Sequence, residues 1–327
     1  MFLPQLVSSG QTISISVILN DILHRFSNGS SAVTVTKDNT LKLLNGGEIS
    51  KTNHALVWKG IYNNKTKVAC KLLVDEKSMN QELKILEALN AFKDPNIEQH
   101  DIPKIYFHGK ILGEYNAIAM SLFDETLEER YLAQNQKLSD LSILLIFRQA
   151  VEALQYLNSR KVMHNDITPY NIFLRGAKVF LSDFDIATLN GAQTTGCTRL
   201  FASSNYRRQA RVPMDDLESL VFSMWYVSNV PMTRSNEDPS EGLILAFLDQ
   251  EAAKARMLEK CEHYKNEHVY EAMKLICADE MISKRPVPNY ERIIHALTVA
   301  IDKLKGSSDQ PKFEWLTNDD TVESSSV

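Results

Sequence analysis

A chain of 327 residues exceeds the ~150 typical of one domain, so one large domain or two modest ones are expected. With 44% hydrophobic and 24% charged residues the composition is globular, and a net charge of −5 argues against a general nucleic-acid-binding surface. Cys70, Cys197, Cys261 and Cys277 are scattered without a Cys-x-x-Cys pair, which argues against a zinc or disulfide scaffold, and no run approaches the ~20 apolar residues of a spanning helix.

The first seven residues are apolar but no basic residue precedes them, and Ile13 to Leu19 is broken by serines, so neither signal peptide nor membrane attachment is expected. A cytoplasmic or nuclear protein fits best. Residues 1–40 are expected as an extension in which Val17 to Phe26 carries apolar residues at helical spacing, closed by Asn28-Gly29. Short β-favouring runs follow at Ala32-Val-Thr-Val-Thr, Ala55 to Tyr62 and Lys67 to Val74, with Asn63-Asn64-Lys65 as the turn between the last two. Glu76 to Leu89 places Met79, Leu83, Leu86 and Leu89 on one helical face, and Ile105–Leu112 with Asn116–Phe123 reads as a hairpin completing a sheet.

After Asp124 the pattern turns helical. Ser139 to Ser159 has a broad apolar face, with Ser139 and Ser142 offering capping hydroxyls. Further helices are expected at Asp215–Ser228, Gly242–Lys260, Val269–Cys277 and Asn289–Leu304. The polar stretch 306–327 reads as a disordered tail. The order is that of an α+β protein with a small sheet-rich lobe (41–123), a larger helical lobe (124–305) and a nucleotide cleft expected between them.

The most informative segment is Val162-Met-His-Asn-Asp-Ile-Thr-Pro-Tyr-Asn-Ile-Phe-Leu174. His164, Asp166 and Asn171 stand in the order His-x-Asp-x-x-x-x-Asn between apolar flanks. Phosphoryl transfer asks for position and charge: a carboxylate beside the acceptor hydroxyl, a carboxamide on a metal ion and a second carboxylate further on. Asp166 and Asn171 take the first two places. Lys178 to Asp185 is an apolar strand leading to Asp183, and a hairpin with Asn171–Leu174 would bring Asp183 to the same metal. A phosphate-directed cation is offered by Lys71, which lies inside an apolar strand and so needs an anionic partner. Glu82, eleven residues on and on a helix face that can meet the sheet, is that partner.

With these residues assembled, the chain resembles the eukaryotic protein kinases from roughly Leu44 to Leu304. Val68-Ala-Cys-Lys71 looks like the strand lysine, Glu82 the helix glutamate, His164 to Asn171 the catalytic loop and Asp183-Phe-Asp185 the metal-binding triplet. Gly196 to Ser203 resembles the end of the activation segment. Asp216, within Asp215-Asp-Leu-Glu-Ser-Leu220, looks like the aspartate that braces the catalytic loop, and Lys284-Arg285-Pro286 is similar to the late arginine that anchors the helical lobe. The resemblance further implies Met120 as gatekeeper, Ser121 to Phe123 as the adenine hinge, and ATP with Mg2+ as cofactors. It is nearest to the casein kinase 1 group and to the fungal-specific kinase-like family.

Departures from the pattern sharpen the reading. Counting back from Val57, the glycine-loop positions hold Ser50, Thr52 and Ala55, where glycine would let amides approach phosphates. Asn165 replaces the arginine that receives an activation-segment phosphate in many kinases, so Thr194, Thr195 or Thr198 would lack that counter-charge. Thr168 stands where a lysine usually serves the γ-phosphate. Three functions follow as expectations: a protein serine/threonine kinase without the usual phosphorylation switch, a pseudokinase that keeps the fold as a binding module, or a small-molecule phosphotransferase sharing His-x-Asp-x-x-x-x-Asn. Arg199, Arg207, Arg208 and Arg211 lead us to expect acidic or pre-phosphorylated protein substrates.

Overall fold

The computed structural model describes residues 14–192, 194, 196–198, 200–203, 205, 210–228, 269, 286–305 and 312–316. The helices expected at Gly242–Lys260 and Val269–Cys277, the Lys284-Arg285 pair and residues 317–327 lie outside the described residues, Val269 and Pro286 excepted. The chain divides into two compact units, one built from 1–87, 91–93 and 104–122, the other from 88–90, 94–103 and 123–327. The α+β organisation expected from the sequence is present.

The first unit is a six-stranded antiparallel sheet in the order β1-β2-β3-β4-β6-β5. Its strands are β1 (Ala32–Thr34), β2 (Leu41–Lys51), β3 (Ala55–Tyr62), β4 (Thr66–Leu73), β5 (Ile105–Ile111) and β6 (Tyr115–Ser121). Two helices, α1 (Ile15–Arg25) and α2 (Glu76–Ala88), belong to the same unit or end at its edge. Residues 14–40 are continuous with this sheet: Val33 pairs with Leu43, and Ile15, Ile18, Ile22 and Phe26 enter one core with Leu41, Leu43 and Trp58. Phe26 stacks on the Trp58 indole, centroids 6.3 Å apart.

Strand β2 is not among the runs legible in the sequence, because Asn45-Gly46-Gly47 interrupts it. Those glycines form a bulge where the register against β3 shifts between Leu43 and Glu48. Gly46 has φ +65°, and a Cβ on Gly47 would lie 2.7 Å from Trp58 Nε1, whose indole donates to the Leu44 carbonyl. Gly47 thus makes room for a buried tryptophan, while Gly46 supplies the left-handed backbone of the bulge.

In the second unit α4 (Asp140–Ser159) and α5 (Pro213–Val227) form the core with α6 (Tyr290–Leu304). The Ser139 hydroxyl caps α4 through the Ser142 amide, as expected. Short strands carry the loops: β7 (Glu125–Thr126) leads into α3 (Leu127–Ala133), β8 (Val162–Met163) pairs with β11 (Thr188–Leu189), and β9 (Ile172–Arg175) with β10 (Lys178–Leu181). Two-residue strands have no readable periodicity, and the sequence does not announce them.

The expectation of a disordered tail is corrected at residues 312–316. Phe313 is 1% exposed and stacks on Trp315, which in turn faces the Arg130 guanidinium at 5.0 Å. The Glu314 carboxylate accepts from the Ser139 amide at 3.0 and 3.1 Å, placing a negative charge at the N-terminus of α4. A polar composition hid three anchoring residues. Phe313→Ala is expected to destabilise the fold by about 3 kcal/mol, the usual order for a buried aromatic. Urea unfolding monitored by tryptophan fluorescence checks this, and an unchanged midpoint would show that the segment contributes nothing.

Candidate active site

In the first unit, alternation along β4 turns Lys71 inward, between Val57 of β3 and Ile118 of β6. Its ammonium meets Glu82 of α2, with Nζ 3.1 Å from Oε1 and 2.9 Å from Oε2. Lys71 is 7% and Glu82 1% exposed, so the pair is buried and each partner makes the other tolerable there. The expected ion pair is therefore formed.

The other first-unit positions singled out in the sequence occupy the β2–β3 end and β6. Ser50 is exposed on β2 opposite Val57, and the turn 52–54 connects the two strands. The Thr52 hydroxyl lies 3.2 Å from the His54 amide and 3.0 Å from the Ala55 amide and accepts from both, so these donors are occupied within the turn. Met120 is buried on β6 opposite Ala69 and Ile105, while Ser121 accepts from the Lys104 amide through its hydroxyl. Phe123 belongs to the second unit, its ring 5.3 Å from Phe173 and 4.6 Å from Phe180. Its side chain is a packing anchor.

In the second unit, the loop after β8 is held from two sides. Asp216, in the first turn of α5, accepts from the backbone amides of His164 (2.7 Å) and Asn165 (2.8 Å). From the other side the His164 Nε2 lies 3.1 Å from the Ser182 carbonyl, and its ring packs 4.9 Å from Phe184. Ser223 of α5 donates to the Ile167 carbonyl, sharing its proton with that of Ser219. Burial pushes the Asp216 carboxyl above the usual range, opposed by His164 and the two amides.

Asp166, half-buried at the centre of this loop, is aimed by two donors. Asn171 Nδ2 reaches both its backbone carbonyl and its Oδ2 at 2.9 Å, and the Thr198 amide donates to Oδ1 at 2.8 Å. The β9–β10 hairpin forms as expected, with the Ser182 amide 3.2 Å from the Asn171 carbonyl, so Asp183 follows directly after the residue bonded to Asn171. Asp183 has φ +69°, in the left-handed region that aspartate tolerates better than most side chains.

These features are those of a known family. The protein kinase domain model matches residues 46–226, more than half of the chain. The chain belongs to the protein kinase family. Among curated relatives, a "Probable casein kinase I homolog" of Encephalitozoon cuniculi (strain GB-M1) is 28% identical over 142 residues, 38% of this chain. The match spans about half (47%) of that relative's length. Among solved structures, vaccinia related kinase 3 matches with a TM-score of 0.65 and 17% identity, covering 86% of this chain and 92% of that one, and shares the fold.

Within this kinase domain, Asn165 has a role its sequence position did not reveal. It sits at φ +67°, where asparagine is better tolerated than most residues. Its Nδ2 lies 3.2 Å from the Met163 carbonyl, 3.1 Å from that of Ile186 and 3.0 Å from Thr188 Oγ1. One neutral carboxamide therefore ties the catalytic loop to the segment after Asp183-Phe184-Asp185. Asp215 extends the clamp, accepting from Ser203 Oγ (2.9 Å), Asn205 Nδ2 (3.1 Å) and the Val212 amide (2.9 Å).

Thr168 is 1% exposed. Arg211, one of four arginines assigned to an acidic-substrate groove, is 4% exposed with Nη1 3.5 Å from Ser203 Oγ; it is part of the interior, and a surface role for it is corrected. Arg199, Arg207, Arg208 and Thr195 lie outside the described residues.

Both amide hydrogens of Asn171 are committed to Asp166, so a metal ion at this residue would be met by Oδ1. Carboxamide and carboxylate oxygens suit Mg2+, which takes few protein ligands and completes its shell with water and phosphate. The residues fit the metal that the family implies. Among the described residues no cluster of three or more His, Cys, Asp or Glu side chains forms an all-protein metal site, and no helix is long and apolar enough to cross a membrane.

Proposed function

We propose that this chain is a protein serine/threonine kinase of casein kinase 1-like type that transfers the ATP γ-phosphate to protein hydroxyls. The observation that carries this is Asp166: a half-buried carboxylate fixed by Asn171 and Thr198, on a loop braced by Asp216. Such a group accepts the proton of an acceptor hydroxyl as the hydroxyl attacks phosphorus. Lys71, oriented by Glu82, supplies the cation for the non-transferred phosphates. Asn171 and Asp183 would hold Mg2+, which neutralises charge on the phosphate oxygens when bound. The bonds of Asn165 and Asp215 support activity without activation-segment phosphorylation, because neutral and acidic side chains already make the ties a phosphate would otherwise create.

A second reading, a pseudokinase that binds or scaffolds, draws on one observation: Thr52 occupies the turn amides that glycine-loop kinases offer to phosphate. Transfer of radiolabel from ATP in magnesium to protein substrates, combined with a nucleotide-induced thermal shift, separates the two. Wild type is expected to transfer label, equally so after phosphatase treatment. Absence of both label and thermal shift would establish the pseudokinase.

Lys71→Met is expected to stop transfer and to destabilise the protein by about 3 kcal/mol, since Glu82 is left buried without its counter-ion. Lys71→Arg keeps the charge pair. It should fold near wild-type stability yet lose most of the rate, because a guanidinium cannot present the same compact charge.

A further inference from the structure

The face of the sheet turned away from Lys71 is closed by α1. Alternation puts Trp58 of β3 with Cys70 and Leu72 of β4 on that side, where they share a core with Ile18, Ile22 and Phe26. Val57, the residue before Trp58, faces the other way and pairs with Ser50 of β2 and Lys71 of β4. Whatever fixes Trp58 therefore fixes the strand that joins the Ser50–Ala55 turn to the phosphate-directed lysine.

The ladder alone does not fix it. From the pair Leu43–Gly60 to the pair Ser50–Val57 the chain advances seven residues in β2 and three in β3, with a register shift on either side of Glu48. A strand with this slack and two glycines has a weakly specified register. Trp58 takes up the slack: its Nε1 donates to the Leu44 carbonyl at 2.6 Å, and Gly47 leaves the space that the indole fills. The indole is held in turn by Phe26, the C-cap of α1, whose ring lies 9° from parallel with centroids 6.3 Å apart. Both side chains are buried, and stacked rings hold a relative geometry that an aliphatic contact does not.

We propose that α1 is a positioning element for the nucleotide: Phe26, acting through the Trp58 indole, keeps β2 in register on β3 and so holds the Ser50–Ala55 turn fixed relative to Lys71. Neither aromatic touches a reacting atom. When the stack is lost, β2 samples other registers, and only a fraction of the molecules presents the competent turn. Apparent nucleotide affinity falls by that fraction. Chemistry at Asp166, in the second unit, is unaltered once nucleotide saturates, so the effect belongs to KM and not to kcat. The proposal rests on the kinase reading for the identity of the ligand, but nucleotide binding does not depend on turnover.

The test uses the full chain, with fluorescent N-methylanthraniloyl-ATP in magnesium for affinity and radiolabelled ATP for transfer, well below the melting temperature of each variant. Phe26→Ala should bind the nucleotide about tenfold more weakly, with the competent fraction cut to about a tenth. Phe26→Tyr, which keeps the ring, should stay within about twofold of wild type. In transfer, the ATP KM of Phe26→Ala should rise by the factor seen in binding while kcat changes by less than about twofold. Leu297→Ala, a core truncation in α6, controls for destabilisation and should leave affinity unchanged. Wild-type affinity in Phe26→Ala, an equal loss in Leu297→Ala, or a loss that Phe26→Tyr does not restore would overturn the proposal. Should Phe26→Ala fail to fold, Phe26→Leu decides: it keeps apolar volume without the plane and should bind about threefold more weakly, and unchanged affinity overturns the proposal. Weakened binding in Phe26→Ala with no label transfer by wild type sinks the kinase reading and leaves the role of α1 standing; transfer with unweakened binding does the reverse. A wild type that binds no nucleotide overturns both.

Discussion

Asp166→Ala should lower the rate of γ-phosphate transfer by about 10²–10⁴-fold, the range attributable to a positioned general base. The structure makes this a clean test of chemistry, because the donors that fix the carboxylate sit at a half-buried site. Once Asp166 is shortened, the Asn171 carboxamide and the Thr198 amide can turn to water, so the expected stability loss is small, about 1 kcal/mol for two exchanged hydrogen bonds. Asp166→Asn preserves shape but cannot take a proton, and should fall as far in rate as alanine. Initial rates at saturating ATP, with thermal melts on the same preparations, check both statements. A variant retaining more than a tenth of wild-type rate would remove Asp166 from its role.

Asp216→Ala is expected to act through geometry. The substitution strands two buried amides, His164 and Asn165, each worth roughly 1–3 kcal/mol when left without an acceptor. It also relieves a burden: burial raises the Asp216 carboxyl above its unfolded value, so its ionisation favours the unfolded chain. With the folded pKa the higher of the two, its contribution to stability is fully present only below the unfolded pKa and is lost as pH rises through the folded one. The two effects oppose each other at neutral pH, so the net destabilisation should be smaller than the roughly 2–6 kcal/mol that the two stranded amides alone would give.

The rate should suffer more. A loop free to shift by an ångström misplaces Asp166, and such displacement can cost about 10²-fold. Measured on the folded fraction at saturating ATP, kcat of Asp216→Ala should therefore drop by that order, with Asp166 itself unchanged. A loss of stability with kcat unaltered would show that Asp216 supports the fold and not the catalytic geometry.

Much of the first unit could be read directly. β3, β4, α2 and the β5–β6 hairpin follow from alternation and helical spacing, because their hydrophobic patterns are long enough to be periodic. β2 escaped because its bulge breaks the alternation, and Gly47 answers to the Trp58 indole eleven residues away. The anchors of 312–316 escaped for a related reason: composition averages over a window, whereas Phe313 and Glu314 each act singly, one filling a core and one meeting a helix N-terminus.

The site divides along the same line. The order and spacing of His164, Asp166, Asn171 and Asp183, and the placement of Lys71 eleven residues before Glu82, were determined by the sequence itself, since each pair lies within a short loop, a hairpin or one strand–helix step. There, local geometry leaves few alternatives. What Asn165 bonds to, which donors occupy Asp166 and why Arg211 is interior were decided only by the tertiary structure. The deciding contacts, Asn165 to Ile186 and Thr188 and Asp166 to the Thr198 amide, join residues 21, 23 and 32 positions apart, and their partners are selected by how those segments pack, which no local periodicity encodes.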